Sequence, residues 1–171
     1  MPASGPSSAS APSASPPSAS LAAMTDARLL RAHAWWQAKR GARRLPDRAD
    51  LDPLDIPDLL PHLVLWERLT AAAGASGGYR CRLAGTLMVQ IHGHEFTGHS
   101  MAQFHGAKNA EIQPEYDAVA RTAEPHYVER TLFWMNKDYQ RYRRILLPFS
   151  WAARTREPES VALIVNVSNF L

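Results

Sequence analysis

Hydrophobic positions recur at two spacings along this chain, and the place where one gives way to the other divides it. Between residues 26 and 40, Leu29, Leu30, His33, Trp36 and Gln37 fall near one helical face, while Arg28, Arg31, Lys39 and Arg40 stand mostly off it. Thr25 or Asp26 offers an acceptor for the first turn, and Gly41 is the stop. From His62 the period shortens to two. Residues 62–69 set Leu63, Leu65 and Leu69 against Val64 and Trp66, and Tyr79, Cys81 and Leu83 then alternate with Arg80 and Arg82. Both stretches read as strands, the second half-buried.

Between the helix and the first strand, Asp52 can cap a short helix that has Pro53 at its first position and turns Leu54, Leu59 and Leu60 inward. Residues 70–78 form a small-residue loop between the two strands. After Gly85, Thr86 can cap a second short helix through Leu87, Met88, Val89 and Ile91, stopped by Gly93. Residues 93–98 and 100–106 have turn-like composition, and a longer helix is expected over 108–122, with Pro114 a point of kinking. The last third reads as three antiparallel strands: 127–134, then 139–149 after turn chemistry at Asn136, Lys137 and Asp138, and a run from Val161 to Val167. That last run is apolar on both faces, the mark of a strand covered on each side. The order predicts an α+β fold: a five-stranded antiparallel sheet with helices on one face, preceded by an N-terminal helix.

Composition sharpens the boundaries. Residues 1–20 hold eight Ser, five Pro and five Ala with no charge and no aromatic, so nothing there offsets the entropy of ordering. A disordered tail over 1–23 and a single domain over 24–171 are the expected organisation. No apolar run approaches the roughly 18 residues of a membrane helix. The single cysteine, Cys81, precludes an internal disulfide and suits a reducing cytoplasm. A net charge of +3 is too small to imply nucleic acid without a concentrated patch.

Several separated strings then resemble a known family. Leu60-Pro61-His62-Leu63-Val64-Leu65-Trp66, followed by Tyr79-Arg80-Cys81-Arg82-Leu83-Ala84-Gly85-Thr86 and by Gly93-His94-Glu95-Phe96-Thr97-Gly98, is similar to a PAS-like family of small bacterial proteins. Residues 45–53 and Ile145 to Phe149 resemble it too, so the likeness spans roughly residues 33–170. Gly85, Thr86, Gly93, Thr97 and Gly98 carry its structural motif, and the family often has arginine where this chain has His94 and His99. The resemblance implies a PAS fold and a sensory or protein-interaction module without chemistry of its own. It also implies room between sheet and helices for a small apolar or aromatic ligand.

The candidate pocket residues are Cys81, Met88, Ile91, Phe96, Met101, Tyr127, Phe133 and Tyr142, from the strands and the helical middle. Trp35 and Trp36 are adjacent on the first helix and cannot both face one core, which offers one of them to a homodimer or partner interface. Two other readings stay open. His92, His94 and His99 could serve a small enzyme or a metal site, although the first two straddle Gly93 at a helix end, which spoils the geometry of a shared metal. Arg141, Arg143 and Arg144 could neutralise nucleic-acid phosphates, with the acidic stretch from Asp47 to Asp58 offsetting the field. Carboxylate pairs such as Glu111 and Glu115 read as solvated helix faces. No phosphate loop or nucleophile elbow is present, and no cofactor is predicted; a single histidine could ligate haem, as in some haem-binding PAS domains, but no Cys-x-x-Cys-His attachment exists to support it.

Overall fold

Asp26 accepts hydrogen bonds from the backbone N–H groups of Arg28 and Leu29, and Gly41 closes the other end at a φ of +56°. Between them runs α1 (Ala27–Arg40), the first long element of the computed structural model. The structure describes residues 20–70, 77–134, 137–154, 157 and 159–171, and at 131–134 and 137–140 the backbone alone. The tail expected over 1–23 therefore lies outside the described residues up to position 19. Residues 20–23 form one 3-10 turn capped by Ser20. Most of the 70–78 loop, and Asn136 in the expected turn, also lie outside them.

Five strands follow: β1 (Leu63–Arg68), β2 (Tyr79–Ala84), β3 (His126–Trp134), β4 (Lys137–Phe149) and β5 (Leu163–Phe170). They form one antiparallel sheet in the order β2-β1-β5-β4-β3. The last strand in sequence is thus the central one. Between β2 and β3 lie α2 (Thr86–His92), α3 (Met101–His105) and α4 (Asn109–Thr122), which runs uninterrupted through Pro114. The turn-like reading of residues 100–106 missed α3. Its signal was a capping box, in which Ser100 and Gln103 each accept from the other's backbone N–H.

The two sheet faces have different covers. α2, α3 and α4 lie over one. The other is covered by α1, whose Leu29, Ala32 and Trp36 are buried and whose contacts run to β4 and β5. This explains why the first residues of β5, Leu163 to Val165, are apolar on both faces. Three ion pairs tie α1 and the residues just after it to the loop that follows: Arg31–Asp58 at 2.7 Å, Lys39–Asp55 at 2.6 Å and Arg43–Asp50 at 2.8 Å. Two expected core positions are corrected. Leu54 is 85% exposed and Leu30 45%, because a 3-10 turn and the far side of α1 carry them outward.

At the sheet edge, β2 carries a bulge opposite Leu65 and Trp66, so Leu65 pairs with Leu83 while Trp66 pairs with Cys81. Tyr79 and Cys81 are buried as the alternation predicts. Leu83 is 40% exposed because the extra residue turns it to the other face. Gly98 and His99 hydrogen-bond the free edge of β2, through Gly98 N–H to the Cys81 carbonyl at 2.8 Å and Cys81 N–H to the His99 carbonyl at 2.9 Å. Gly85 packs against the turn before β1: a Cβ there would stand 2.2 Å from the Leu60 carbonyl oxygen.

Candidate functional site

Strand alternation places one set of residues under the helices. On β4 these are Tyr142 and Arg144, on β5 Asn166, Ser168 and Phe170, on β3 Val128 and Arg130, and on β1 Val64 and Trp66. With Met88 and His92 of α2, Phe104 and His105 of α3, and Ile112 and Tyr116 of α4, they line a cavity of about 620 Å³. Lys108, Glu111 and Glu129 also border it.

One wall is aromatic. The Trp66 ring lies 6.1 Å from Phe104, 6.2 Å from Tyr116 and 6.3 Å from His105, centroid to centroid. Phe96 stacks on Phe104 at 4.1 Å behind this wall. The imidazoles here are held neutral. Burial, with the nearby Arg144 and His92 adding to it, pushes His105 down to about 3, and burial brings His92 to about 4. His92 Nδ1 lies 2.7 Å from the Met88 carbonyl oxygen.

The opposite wall is polar and charged. Arg144 is 3% exposed, and its guanidinium pairs with Glu115 of α4, itself 7% exposed. Arg130 pairs with the other oxygen of the same carboxylate. The Arg144 guanidinium also lies over the Tyr116 ring at 5.4 Å and the Tyr142 ring at 5.8 Å. Ser168 Oγ donates to Asn166 Oδ1 at 3.2 Å.

Of the expected pocket residues, Met88 and Tyr142 line the cavity. Cys81, Phe96 and Met101 are buried in the core outside its lining, and Ile91 is half-buried on α2. Burial raises the Cys81 thiol to about 11, as suits an inert core group. Tyr127 is a correction: it pairs with Ile145 in the register that puts Val128 and Arg130 on the cavity side, so it faces away. Phe133 is on β3 at a position whose side chain lies outside the described ones. Among the motif residues, Gly93 has a φ of +79° and Gly98 one of +89°, the left-handed turns that glycine accommodates. Thr86 opens α2, and the Thr97 N–H donates to Glu95 at 2.8 Å.

Trp36 is 1% exposed in the chain's own core, and Trp35 beside it is half-buried, its ring 5.7 Å from that of Phe149. His94 and His99 are exposed, 6.4 Å apart by ring centroid. No group of three or more His, Cys, Asp or Glu side chains is placed to hold a metal among the described residues. The arginine cluster divides. Arg141 and Arg143 pair with Glu129 at 3.9 and 3.1 Å, whereas Arg144 points inward and is buried. Glu115 is likewise a correction, since it is enclosed rather than solvated.

With this geometry, a family model described as a PAS domain matches residues 24–161. The chain belongs to the PAS domain family. Its fold is the PAS fold, and PAS domains are sensory and signalling modules, typically without enzymatic activity and commonly engaged in protein interaction or dimerisation. Among solved structures, the PAS domain of the histidine kinase ThkA is 17% identical, covering 61% of this chain and 97% of that one, with a TM-score of 0.35. The search of curated proteins returns no match. Among the described residues, no helix of this PAS domain is long and apolar enough to cross a membrane.

Proposed function

We propose that this PAS domain senses a small organic molecule with an aromatic or apolar body, held between sheet and helices, and signals by contact with a protein partner or a second copy. The cavity carries this reading. Its volume of about 620 Å³ falls in the range of small-molecule sites, and its lining joins an aromatic wall to a few convergent polar groups. The unit is residues 24–171, acting without chemistry of its own. The lone thiol of Cys81 fits a reducing cytoplasm.

A route out of the cavity exists along β5. Ser168 and Phe170 border the cavity, while Asn169 between them hydrogen-bonds Asp26 and Arg28 at the start of α1 on the other face. A displacement of β5 by a ligand is therefore felt at the N-terminal helix. Native mass spectrometry of the freshly purified chain tests the reading. A retained organic mass that is lost in the cavity-filling variant Met88→Trp supports it. Wild type and M88W that show identical spectra, and that bind no member of an aromatic and apolar fragment set by tryptophan fluorescence, would overturn it.

A further inference from the structure

We propose that the ligand of this cavity is an organic carboxylate, its acid group on Arg130 and Arg144 and its apolar body against Trp66 and Phe104. The inference rests on the ligand-sensing reading above and names the chemical class of the ligand. Two guanidiniums share the single carboxylate of Glu115, and the formal charges of Lys108 and Glu111 at the border cancel, so one positive charge is left over. Each gives Glu115 one hydrogen bond, although a guanidinium carries five N–H donors. The buried Nε atoms of Arg130 and Arg144 have no hydrogen-bond partner. Donors in this position, one of them on a side chain 3% exposed, call for an acceptor that the protein itself does not supply.

The neighbouring polar groups agree in sign. Ser168 occupies Asn166 Oδ1, so the Asn166 carboxamide has its NH₂ left to offer. Across the sheet, Arg144 pairs with Ser168 on β5 and with Val128 on β3, and Arg130 pairs with Tyr142, so these donors stand on adjacent strands. The Glu129 carboxylate at the border is taken up by Arg143 and Arg141 on the other face. One surplus charge and a planar fork match a carboxylate, which carries one negative charge, better than a phosphate, which carries nearly two near neutral pH.

The test uses matched pairs differing only in charge: phenylacetate and phenylacetamide, indole-3-acetate and indole-3-acetamide, octanoate and octanamide. Each is titrated into the full chain by calorimetry. At least one acid binding tenfold or more tighter than its amide is the expected result. Arg130→Gln keeps the matched Arg144–Glu115 pair, and it should reduce that preference to threefold or less. Amides that bind as tightly as their acids would overturn the carboxylate assignment while leaving the sensing cavity intact. Acids that outbind their amides equally well in wild type and R130Q would also overturn it. If neither series binds wild type, and M88W leaves the native mass spectrum unchanged, both readings fall. Should R130Q not fold, the wild-type comparison of acid with amide alone decides.

Discussion

The Trp36 indole Nε1 donates to the Pro148 carbonyl oxygen at 2.7 Å, joining α1 to β4 on the sheet face away from the cavity. Both residues are buried, so neither polar group has water as a substitute. Trp36→Phe keeps most of the apolar contact and removes the donor. Urea unfolding should show a loss of about 1–3 kcal/mol. Deleting residues 1–41 uncovers the face that Leu29, Ala32 and Trp36 cover, and the truncated chain should aggregate on size exclusion.

Gly85→Ala would place its methyl carbon 2.2 Å from the Leu60 carbonyl and 2.5 Å from that of Pro61, both backbone atoms with little freedom to yield. Thermal unfolding should report a loss of about 3 kcal/mol or more. Gly78→Ala is the control: nothing lies within 4 Å of a Cβ there, and its effect should stay within about 0.5 kcal/mol.

Glu115→Gln leaves the buried Arg144 and the partly buried Arg130 without their shared carboxylate. A stability loss of about 3–5 kcal/mol is expected by chemical denaturation. Replacing Glu115, Arg130 and Arg144 together by leucine should recover much of it, since the charged triad is then removed as a unit. A triple variant as unstable as E115Q would contradict this account of the triad.

On the acid limb of stability, to which His33, His62 and His126, also lowered by burial, add, His92 and His105 carry the largest histidine shifts. Their folded pKa values, about 4 and about 3, lie below the ordinary 6.5, so protons bind the unfolded chain first as pH falls. Their contribution is whole above pH 6.5 and is lost progressively toward those folded values. Each should cost about 1.4 kcal/mol per pH unit in that window. Denaturant midpoints at pH 7.5, 6.0 and 5.0 check the slope, and His105→Phe should flatten it.

Cys81 should resist iodoacetamide at pH 8 in the native state and react in denaturant. Its thiol is 1% exposed and held near 11, so thiolate is scarce and access poor.

Element types were legible because each rests on a local pattern: the caps at Asp26 and Gly41, the alternation about Cys81, the doubly apolar start of β5. The site was not, because it depends on register between strands far apart in sequence. Whether Tyr127 or Val128 faces the helices is decided only when Tyr127 meets Ile145. Leu83 turned outward through a one-residue bulge that no periodicity announces. In the sequence Arg144 reads as one of a surface cluster with Arg141 and Arg143. Its even position beside Tyr142 was the available clue, since alternation already sets it on the opposite face from its neighbours. Glu115 gave no such clue: four residues from Glu111 on a helix, it looks like any solvated acid until Arg130 and Arg144 arrive from the other side.

The central place of β5 has a bearing on synthesis. β1 pairs with β2 and β4 with β3, and β5 alone joins the two pairs. On the ribosome, the sheet therefore cannot be completed until the residues from Leu163 to Phe170 emerge. A chain interrupted before that strand leaves β1 and β4 without their shared neighbour, with vacant edges ready to pair with another chain.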